Sequence, residues 1–419
     1  MTLHYEDGGL RLFHGDNRDV LPAFADASFD SIVTDPPYEL GFMGKGWDST
    51  GIAYDVDLWR EAYRVLKPGG HLLAFGGTRT WHRIAAAIED AGFEIRDSIA
   101  WMYGSGFPKS MNVSKAIESH LTQGGSSSRM LKRTELEGDG TPYEGRGRNN
   151  GIMGPKVITE RKTFEATAEQ AREWQGWGTA LKPAFEPIVV ARKPLSSTVA
   201  ANVLAHGTGA INIDACRIGD EVRVNQPAGN KPGGASLEMS ASGMPQDAEA
   251  RTAVGRFPAN VVLDESQADA LDEQSVLSSG MMRSGQRVQS SGGEIYGKRG
   301  EFVTSGATYG DTGGASRFFP TFRYEAKAPG SERPTVDGVA HATVKPLDLM
   351  RWLVRLVTRR GGHVLDLFAG SGTTGEAALL EGMECTLIEY EAVHLPLILA
   401  RVRKPLQPSM FGDWEGGAA

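Results

Sequence analysis

The chain has 419 residues, of which 40% are hydrophobic, and its formal net charge is −8. This length suggests two or three domains, or one elaborated α/β domain. The acidic balance argues against a basic nucleic-acid coat protein, although a local charged patch is still allowed. The cysteines, Cys216 and Cys385, lack metal-ligand spacing, so neither a disulfide framework nor a metal site is predicted. Because the sequence contains no secretory signal and no apolar run of ~20 residues, we expect a soluble cytoplasmic protein.

Strand and helix patterns alternate over the first hundred residues. Apolar runs bounded by turn residues predict strands at 10–14, 29–34, 71–75 and 93–103. Apolar residues at helical spacing predict helices at 56–66 and 81–91. The run Lys67-Pro68-Gly69-Gly70 predicts a turn that stops the first helix. Such alternation is typical of an α/β fold, in which helices cover both faces of a parallel sheet.

The middle of the chain, from about 105 to 328, lacks a regular pattern. Short apolar runs at 187–191 and 260–263 are separated by Gly/Ser-rich stretches, which favour mobile loops. Residues 104–328 hold 26 basic and 25 acidic residues, against 18 and 27 in the remainder. If a nucleic acid is bound, this neutral region is the better candidate. Its basic residues between Arg129 and Lys162 are either phosphate contacts or a solvated surface.

The C-terminal part returns to the alternating pattern. A helix is predicted at 347–359, a strand at 363–368, a helix to 381, a strand at 385–388 and a last helix to 403. The second of these elements leads into Asp366-Leu367-Phe368-Ala369-Gly370-Ser371-Gly372-Thr373. Glycines at such a turn let a ligand approach the backbone, and the following helix offers unpaired N–H groups. An ordinary glycine-containing turn is the alternative interpretation.

Glu389 ends the strand that follows this glycine loop. A carboxylate at that position can accept hydrogen bonds from ribose hydroxyls. The loop and Glu389 together predict a nucleoside cofactor, and the absence of a third glycine disfavours NAD.

A second motif, Asp35-Pro36-Pro37-Tyr38, follows the strand at 29–34. Two successive prolines fix the backbone and remove two N–H donors, which leaves carbonyl groups rigidly aimed. Ligands of open α/β sheets bind at the carboxyl ends of strands, where this motif lies. The Asp35 carboxylate and the Pro36 carbonyl can each accept one hydrogen of a nucleobase amine, and the Tyr38 ring can stack on the base. The stretch 41–47 that follows is either a lid or a plain surface loop.

Together, Asp35–Tyr38 and Asp366–Gly372 resemble the motifs of the DNA amino-methyltransferases, which modify adenine N6 or cytosine N4. The catalytic loop precedes the cofactor loop, an order that resembles the permuted beta class, in which the target-recognition region lies between the two. The stretch 341–347 is similar to the segment before the cofactor loop in that class. Ala342 and Val344 replace the family's usual proline and glutamine there.

This resemblance implies a set of site residues and a cofactor. The implied catalytic residues are Asp35, Pro36, Pro37 and Tyr38. The implied cofactor is S-adenosyl-L-methionine, held by Asp16, Lys345, Pro346, Asp366, Phe368, Ala369, Gly370, Ser371, Gly372, Thr373 and Glu389. Asp16 enters this set because Gly15-Asp16 resembles the acidic turn that contacts the cofactor's adenine.

The fold implied by the resemblance is a three-layer, Rossmann-like, S-adenosylmethionine-dependent methyltransferase fold with a seven-stranded mixed sheet and a circularly permuted motif order. Its core would comprise 1–104 with the catalytic loop, the strand segment 183–195, and 340–405 with the cofactor loop. The irregular inserts at 105–182 and 196–339 are predicted to recognise the target, and the second is predicted to be partly flexible. Residues 406–419 form a tail.

The implied reaction is methyl transfer to a base that is flipped out of double-stranded DNA. An exocyclic amine is a poor nucleophile, and acceptance of both its hydrogens by Asp35 and Pro36 would free its lone pair. In this family Asp at the first loop position goes mostly with adenine N6, and Ser goes mostly with cytosine N4. Asp35 therefore favours adenine N6.

Several alternatives stay open at this point. Cytosine-N4 methylation is the alternative within the class, and a non-catalytic DNA-binding protein of the same fold is the alternative outside it. Methylation of RNA or of a protein glutamine goes with Asn at the first loop position and the unpermuted order, and neither is found here. The resemblance also allows a homodimer and a cognate restriction endonuclease as partners. It implies a bacterial or phage-encoded protein that is nucleoid-associated when active.

Overall fold

The computed structural model describes residues 2–40, 50–104, 106, 110–123, 138–149, 152–162, 164–225, 251–275, 287–288, 302–303, 313–322, 334–336, 338–341 and 343–404. The candidate lid at 41–47 lies outside these ranges, as do Arg129, Lys132 and Arg133 of the basic stretch. The chain divides into two compact units, residues 1–105 with 184–419, and residues 106–183.

The strands and helices of the described residues are numbered here in chain order. The strands are β1 Thr2–Asp7, β2 Leu10–His14, β3 Phe29–Thr34, β4 Leu66–Phe75, β5 Glu94–Met102, β6 Gly138–Asn149, β7 Ile152–Lys162, β8 Phe185–Arg192, β9 Ile218–Asn225, β10 Arg251–Arg256, β11 Val261–Asp264, β12 Arg287–Val288, β13 Phe302–Val303, β14 Thr321–Phe322, β15 Thr335–Val336, β16 Val339–Ala340, β17 His363–Asp366 and β18 Glu384–Glu389. The α-helices are α1 Asn17–Val20, α2 Val56–Val65, α3 Trp81–Asp90, α4 Val113–Gln123, α5 Glu169–Arg172, α6 Val199–His206, α7 Glu265–Gln274, α8 Leu347–Val357, α9 Thr373–Leu380 and α10 Leu395–Val402.

A ten-stranded sheet runs through the larger unit in the order β1-β2-β18-β17-β3-β4-β8-β5-β11-β14. Strands β2, β18, β17, β3 and β4 are mutually parallel, and β8 is antiparallel to both of its neighbours, β4 and β5. The C-terminal strands β17 and β18 therefore lie between the N-terminal strands β2 and β3. This strand order agrees with the predicted permutation, in which the strand before the cofactor loop comes late in the chain and the strand before the catalytic loop comes early.

The predicted seven-stranded mixed core, from β2 to β5, is extended by three further strands. Strand β1 forms an antiparallel hairpin with β2 across Gly8 and Gly9, which both have positive φ, as such tight turns require. At the other edge, β11 pairs in parallel with β5, and β14 pairs with β11. Because Val262 and Leu263 of β11 are buried, part of the predicted insert 196–339 belongs to the core sheet.

Helices pack on both faces of this sheet and give three layers. Ile32 and Val33 of β3 belong to opposite hydrophobic clusters, because successive side chains of a strand point to opposite faces. The Ile32 cluster includes Trp59 of α2, and the Val33 cluster includes Leu353 of α8. In the described part of the chain, none of the helices combines the length and the apolar character needed to cross a membrane.

The smaller unit, residues 106–183, contains α4, α5 and the antiparallel hairpin of β6 and β7. Glu118 of α4 accepts hydrogen bonds from the backbone N–H of Thr167 and of Ala168, at 3.2 and 3.0 Å. Its carboxylate also accepts from the Thr167 hydroxyl, and these bonds lower the pKa of Glu118. The assignment of this unit to target recognition stays a prediction.

Candidate active site

The two predicted motifs meet at the carboxyl ends of neighbouring parallel strands. Asp35 follows β3, and the glycine loop follows β17, which pairs with β3. The Thr34 hydroxyl donates a hydrogen bond to Asp366 Oδ1 at 2.8 Å, although 332 positions separate the two residues. On the other side of β17, Glu389 ends β18, and its carbonyl accepts a hydrogen bond from Gly15 N at 3.0 Å. Four consecutive strand ends, of β2, β18, β17 and β3, thus form one edge that carries the predicted residues.

The glycine loop adopts a backbone conformation that larger residues rarely adopt. Gly370 and Gly372 have φ values of 54° and 79°, in the left-handed region. A Cβ on Gly372 would lie 2.9 Å from the Ile398 side chain, and one on Gly370 would lie 3.3 Å from the His341 ring. The loop is therefore built for close packing, and Gly372 immediately precedes helix α9.

Most residues of the predicted cofactor loop are buried. Within Asp366–Thr373, the residues with partial exposure are Phe368 and Gly370. The buried Asp366 carboxylate accepts from Thr34 and, at 3.0 Å, from the backbone N–H of Phe368. Burial raises the pKa of Asp366 to about 6, against the lowering effect of its hydrogen bonds. Asp366 thus links the end of β3, which precedes the Asp35–Tyr38 loop, to the glycine loop. Phe368 and Gly370 are the accessible residues of the glycine loop.

Glu389 is anchored by three donors. Its Oε2 accepts from Gly370 N at 2.7 Å, and its Oε1 accepts from Glu391 N at 2.8 Å. The His394 ring nitrogen Nδ1 lies 3.2 Å from the same Oε1. The carboxylate is consequently held against the loop, and the Gly370 N–H, which the sequence offers to a ligand, is already engaged.

Asp16 lies just after β2, next to the strand that Glu389 ends. It caps helix α1 and accepts hydrogen bonds from the backbone N–H of Arg18 at 2.9 Å and from the Arg18 guanidinium at 2.6 Å. The hydrogen bonds and the charge of Arg18 lower the pKa of Asp16. Asp16 is thus at the expected edge, with its charge paired.

Asp35 is held by one oxygen only. Lys345 Nζ donates to Asp35 Oδ2 at 2.5 Å. The other oxygen, Oδ1, is buried and has no hydrogen-bond partner among the described residues. Buried polar atoms are normally paired, and this carboxylate oxygen keeps its capacity to accept a hydrogen bond. The neighbouring Pro36 is buried, and Pro37 is half-buried.

Tyr38 is fixed at both ends. Its hydroxyl donates to Glu186 Oε2 at 2.8 Å, and its carbonyl accepts from the Thr80 hydroxyl at 2.8 Å. Burial, together with the charges of Asp35 and Glu186, raises the pKa of Tyr38 well above its usual value. The phenol therefore stays neutral and can act as a donor.

Lys345 contacts the side chains of both Asp35 and Glu186. Its Nζ lies 3.6 Å from Glu186 Oε2, and it also lies 5.3 Å from the centre of the Tyr38 ring. Burial alone lowers the pKa of Lys345, but the charges of Asp35 and Glu186 outweigh burial and the pKa is raised. The next residue, Pro346, precedes helix α8. The sequence indicated a cofactor role for Lys345 and did not predict its contact with Asp35.

Glu186 was missed by the sequence analysis. It lies near the start of β8, whose antiparallel direction brings that start to the edge where β3 and β17 end. A charged residue at the start of an otherwise buried strand was the available signal. No group of three or more His, Cys, Asp or Glu side chains that could hold a metal ion is found in the described ranges.

Some curated proteins and solved structures are similar to this chain. Type II methyltransferase M.HindIII of Haemophilus influenzae is 27% identical over 161 residues, 38% of either chain. Type II methyltransferase M.HpaI of Haemophilus parainfluenzae is 33% identical over 96 residues, 21% of this chain and 30% of that protein. The chain thus matches well under half the length of these two relatives. The structure of PvuII DNA methyltransferase (cytosine-N4-specific) aligns with 95% of this chain and 88% of its own at 14% identity, with a TM-score of 0.42. The corresponding values for M1.HpyAVI are 94%, 99%, 14% and 0.39.

The sequence model of one protein family covers most of the chain. This model, of N6/N4 methyltransferases and described as DNA methylase, matches residues 29–137 and 155–400. The match includes both the Asp35–Tyr38 loop and the Asp366–Gly372 loop, which the fold brings to one edge. The chain therefore belongs to the N6/N4 DNA methylase family.

Proposed function

We propose that this protein transfers a methyl group from S-adenosyl-L-methionine to the N6 amino group of adenine in double-stranded DNA. The observation that carries the proposal is the difference between the two oxygens of the Asp35 carboxylate. Its Oδ2 is held by Lys345, and its Oδ1 is buried without a partner among the described residues. A carboxylate oriented in this way is ready to accept one hydrogen from an amine.

The edge of the sheet also suits a nucleoside cofactor. The left-handed Gly370 and the half-buried Phe368 leave an accessible backbone turn, and a Cβ at 370 would lie 3.3 Å from the His341 ring. Glu389 Oε2 accepts one hydrogen bond, from Gly370, and keeps capacity for a ribose hydroxyl, since a carboxylate oxygen can accept two. When bound, S-adenosyl-L-methionine supplies the methyl group on a positively charged sulfur.

The residues of the catalytic loop then act on the amine. Asp35 Oδ1 accepts one amino hydrogen and the Pro36 carbonyl accepts the other, which directs the nitrogen lone pair away from the base. Orientation of the two reacting centres supplies part of the rate, and carboxylate stabilisation of the positive charge that develops on nitrogen supplies more. Tyr38 provides the stacking surface for the base, which must leave the duplex to be reached.

The preference for adenine over cytosine rests on Asp35 at the first loop position. Cytosine N4 could use the same two acceptors and is the alternative substrate. A non-catalytic DNA-binding protein with this fold is the alternative outside the class, and the unpaired Asp35 oxygen beside Tyr38 argues against it. A homodimer and a cognate restriction endonuclease stay predictions of the family resemblance.

The test is transfer of an isotopically labelled methyl group to unmethylated genomic DNA by the purified protein. The DNA is then hydrolysed and its nucleosides are identified by mass spectrometry. We expect labelled N6-methyladenine, and sequencing of modified bases in a host that expresses the chain would give the target site. Labelled N4-methylcytosine would establish the alternative substrate. Absence of transfer, with the methyl donor still bound in calorimetry, would favour the non-catalytic binder.

A further inference from the structure

We infer that Glu186 is a positioning residue for methyl transfer, which holds the Tyr38 ring in place and leaves the site with an excess of negative charge. This inference rests on the proposed function and adds a residue that neither motif contains. Glu186 lies on β8, which pairs with β4 and β5, and β4 in turn pairs with β3, the strand that precedes the catalytic loop.

The backbone fixes Glu186 at the reactive edge. Strand β8 is antiparallel to β4, with Ile188 opposite Phe75, so the start of β8 lies where β4 ends. Gly76 N donates to Pro187 O at 2.9 Å, and this bond continues the ladder past the end of β4. The Glu186 side chain is 22% exposed, so it projects from a rigid strand into a largely shielded position.

The first role of Glu186 is to orient Tyr38 through a hydrogen bond. Its Oε2 accepts the Tyr38 hydroxyl hydrogen at 2.8 Å, while the Thr80 hydroxyl holds the Tyr38 carbonyl. The bond to Glu186 fixes where the phenol ring lies for stacking, since rotation about the Cα–Cβ bond would move the hydroxyl away from Glu186. Ordering the ring before DNA binds lowers the entropic cost of holding the flipped base.

The second role is electrostatic. Lys345 Nζ lies 2.5 Å from Asp35 and 3.6 Å from Glu186, so one ammonium group faces two carboxylates. Without Glu186, the charges of Asp35 and Lys345 would cancel. With Glu186, the site keeps a net negative charge where positive charge develops on the amine nitrogen. A fixed negative charge in a shielded site stabilises that developing charge without rearrangement of solvent.

Three variants separate these roles. Glu186→Gln keeps an acceptor for the Tyr38 hydroxyl and removes the charge, Tyr38→Phe removes the bond and keeps the charge, and Glu186→Ala removes both. Glu94→Gln is the matched control, because Glu94 pairs at 2.6 Å with Arg192 at the far end of the same strand. Glu94→Gln therefore removes a carboxylate from the same sheet, but at the end opposite to Asp35 and Tyr38.

The experiment measures kcat and the KM for unmethylated DNA that contains the target sequence. It also measures the fluorescence of 2-aminopurine placed at the target base. We expect Glu186→Gln to lower kcat by about tenfold or more, with the KM and the fluorescence of the flipped base unchanged. Tyr38→Phe should change the KM and the fluorescence, and its fall in kcat should be smaller than that of Glu186→Gln. Glu186→Ala should show both defects, and Glu94→Gln should behave as the wild type.

A binding measurement without DNA provides a readout that does not depend on activity. Calorimetry compares S-adenosyl-L-methionine, which is cationic at sulfur, with S-adenosyl-L-homocysteine, which is neutral there. We expect Glu186→Gln to weaken binding of the cation by about threefold more than binding of the neutral compound. Equal weakening of both, or wild-type kcat in Glu186→Gln, would overturn the inference and leave the proposed function standing. Failure of the wild type to transfer methyl groups would overturn the proposed function and this inference with it.

Discussion

Lys345 Nζ lies 2.5 Å from Asp35 Oδ2, although 310 positions separate the two residues. This ion pair joins the segment before the cofactor loop to the catalytic loop. It also fixes which oxygen of Asp35 stays available. Because the side chain of Lys345 is only 10% exposed, the pair is shielded from solvent and its loss should be costly.

Substitution of Lys345 by methionine should impair both stability and catalysis. Lys345→Met leaves Asp35 and Glu186 close together without a cation, which we expect to lower the free energy of unfolding by roughly 3 kcal/mol. Urea denaturation measures that loss, and methyl transfer should fall with it. Lys67→Met is the control, because Lys67 pairs with Asp30 at 2.8 Å at the other end of β3. Lys67→Met should be destabilised and should still transfer methyl groups at the wild-type kcat, and a similar kcat in Lys345→Met would contradict the role of the pair.

Removal of the charge of Asp35 should block transfer and spare the cofactor. Asp35→Asn keeps the size of the side chain but loses the carboxylate that stabilises positive charge on the amine, so kcat should fall by about 100-fold or more. Calorimetry should show that S-adenosyl-L-methionine still binds, with an affinity reduced by no more than about threefold through loss of one negative charge. Asp57→Asn, on the exposed side of α2, serves as control and should match the wild type. Full activity in Asp35→Asn would show that the catalytic loop is assigned incorrectly.

The buried Asp366 should impose a pH dependence on stability. Its pKa rises from 3.8 to about 6 on folding, because burial disfavours the charged form. The folded protein therefore binds the Asp366 proton more tightly than the unfolded chain, and the contribution of Asp366 to stability declines as pH rises from about 4 to about 6. Asp366→Asn lacks this titration and keeps an oxygen that can accept from Thr34.

The comparison of the two proteins gives the measurement. The free energy of unfolding of Asp366→Asn, relative to the wild type, should increase by up to about 3 kcal/mol between pH 4 and pH 6. Urea denaturation at pH 4, 5, 6 and 7 follows this difference. A difference that stays constant with pH would mean that Asp366 is not protonated over this range.

The backbone at Gly370 should control binding of the cofactor. Gly370→Val places a branched side chain at φ +54° and 3.3 Å or less from the His341 ring, so the turn must shift. We expect the affinity for S-adenosyl-L-methionine to fall by about tenfold or more, which corresponds to ~1.4 kcal/mol. Gly361→Val is the matched control, with φ +71° and nothing within 4 Å of the added Cβ. Both variants carry backbone strain, and equal cofactor affinity in the two would contradict a specific role for Gly370.

Local features of the site were predictable from the sequence alone. The strand before Asp35, the strand before the glycine loop and the helix after it each follow from apolar spacing and turn residues within a few positions. Helix α2 ends at Val65, just before the predicted stop at Lys67–Gly70. This run is part of β4 but interrupts its pairing with β3, because Phe29 lies opposite Leu66 and Ser31 lies opposite His71, and Gly69 has a φ of 78°. Backbone hydrogen bonds from Gly69 to Lys193 and from Lys193 to Gly70 hold this irregular stretch in the sheet, and Lys193 is far away in sequence.

The sequence by itself determined the alternation of strands and helices, the two motifs and their permuted order, because each depends on residue patterns that can be read along the chain. Tertiary structure alone decided that Lys345 and Glu186 surround Asp35 and Tyr38, and that β11 and β14 join the core sheet. These contacts depend on strand order and direction, and above all on the antiparallel β8 that carries Glu186 to the reactive edge. Pairing of charges across hundreds of residues is set by the strand order of the sheet, so a linear pattern of residue types does not encode it in readable form.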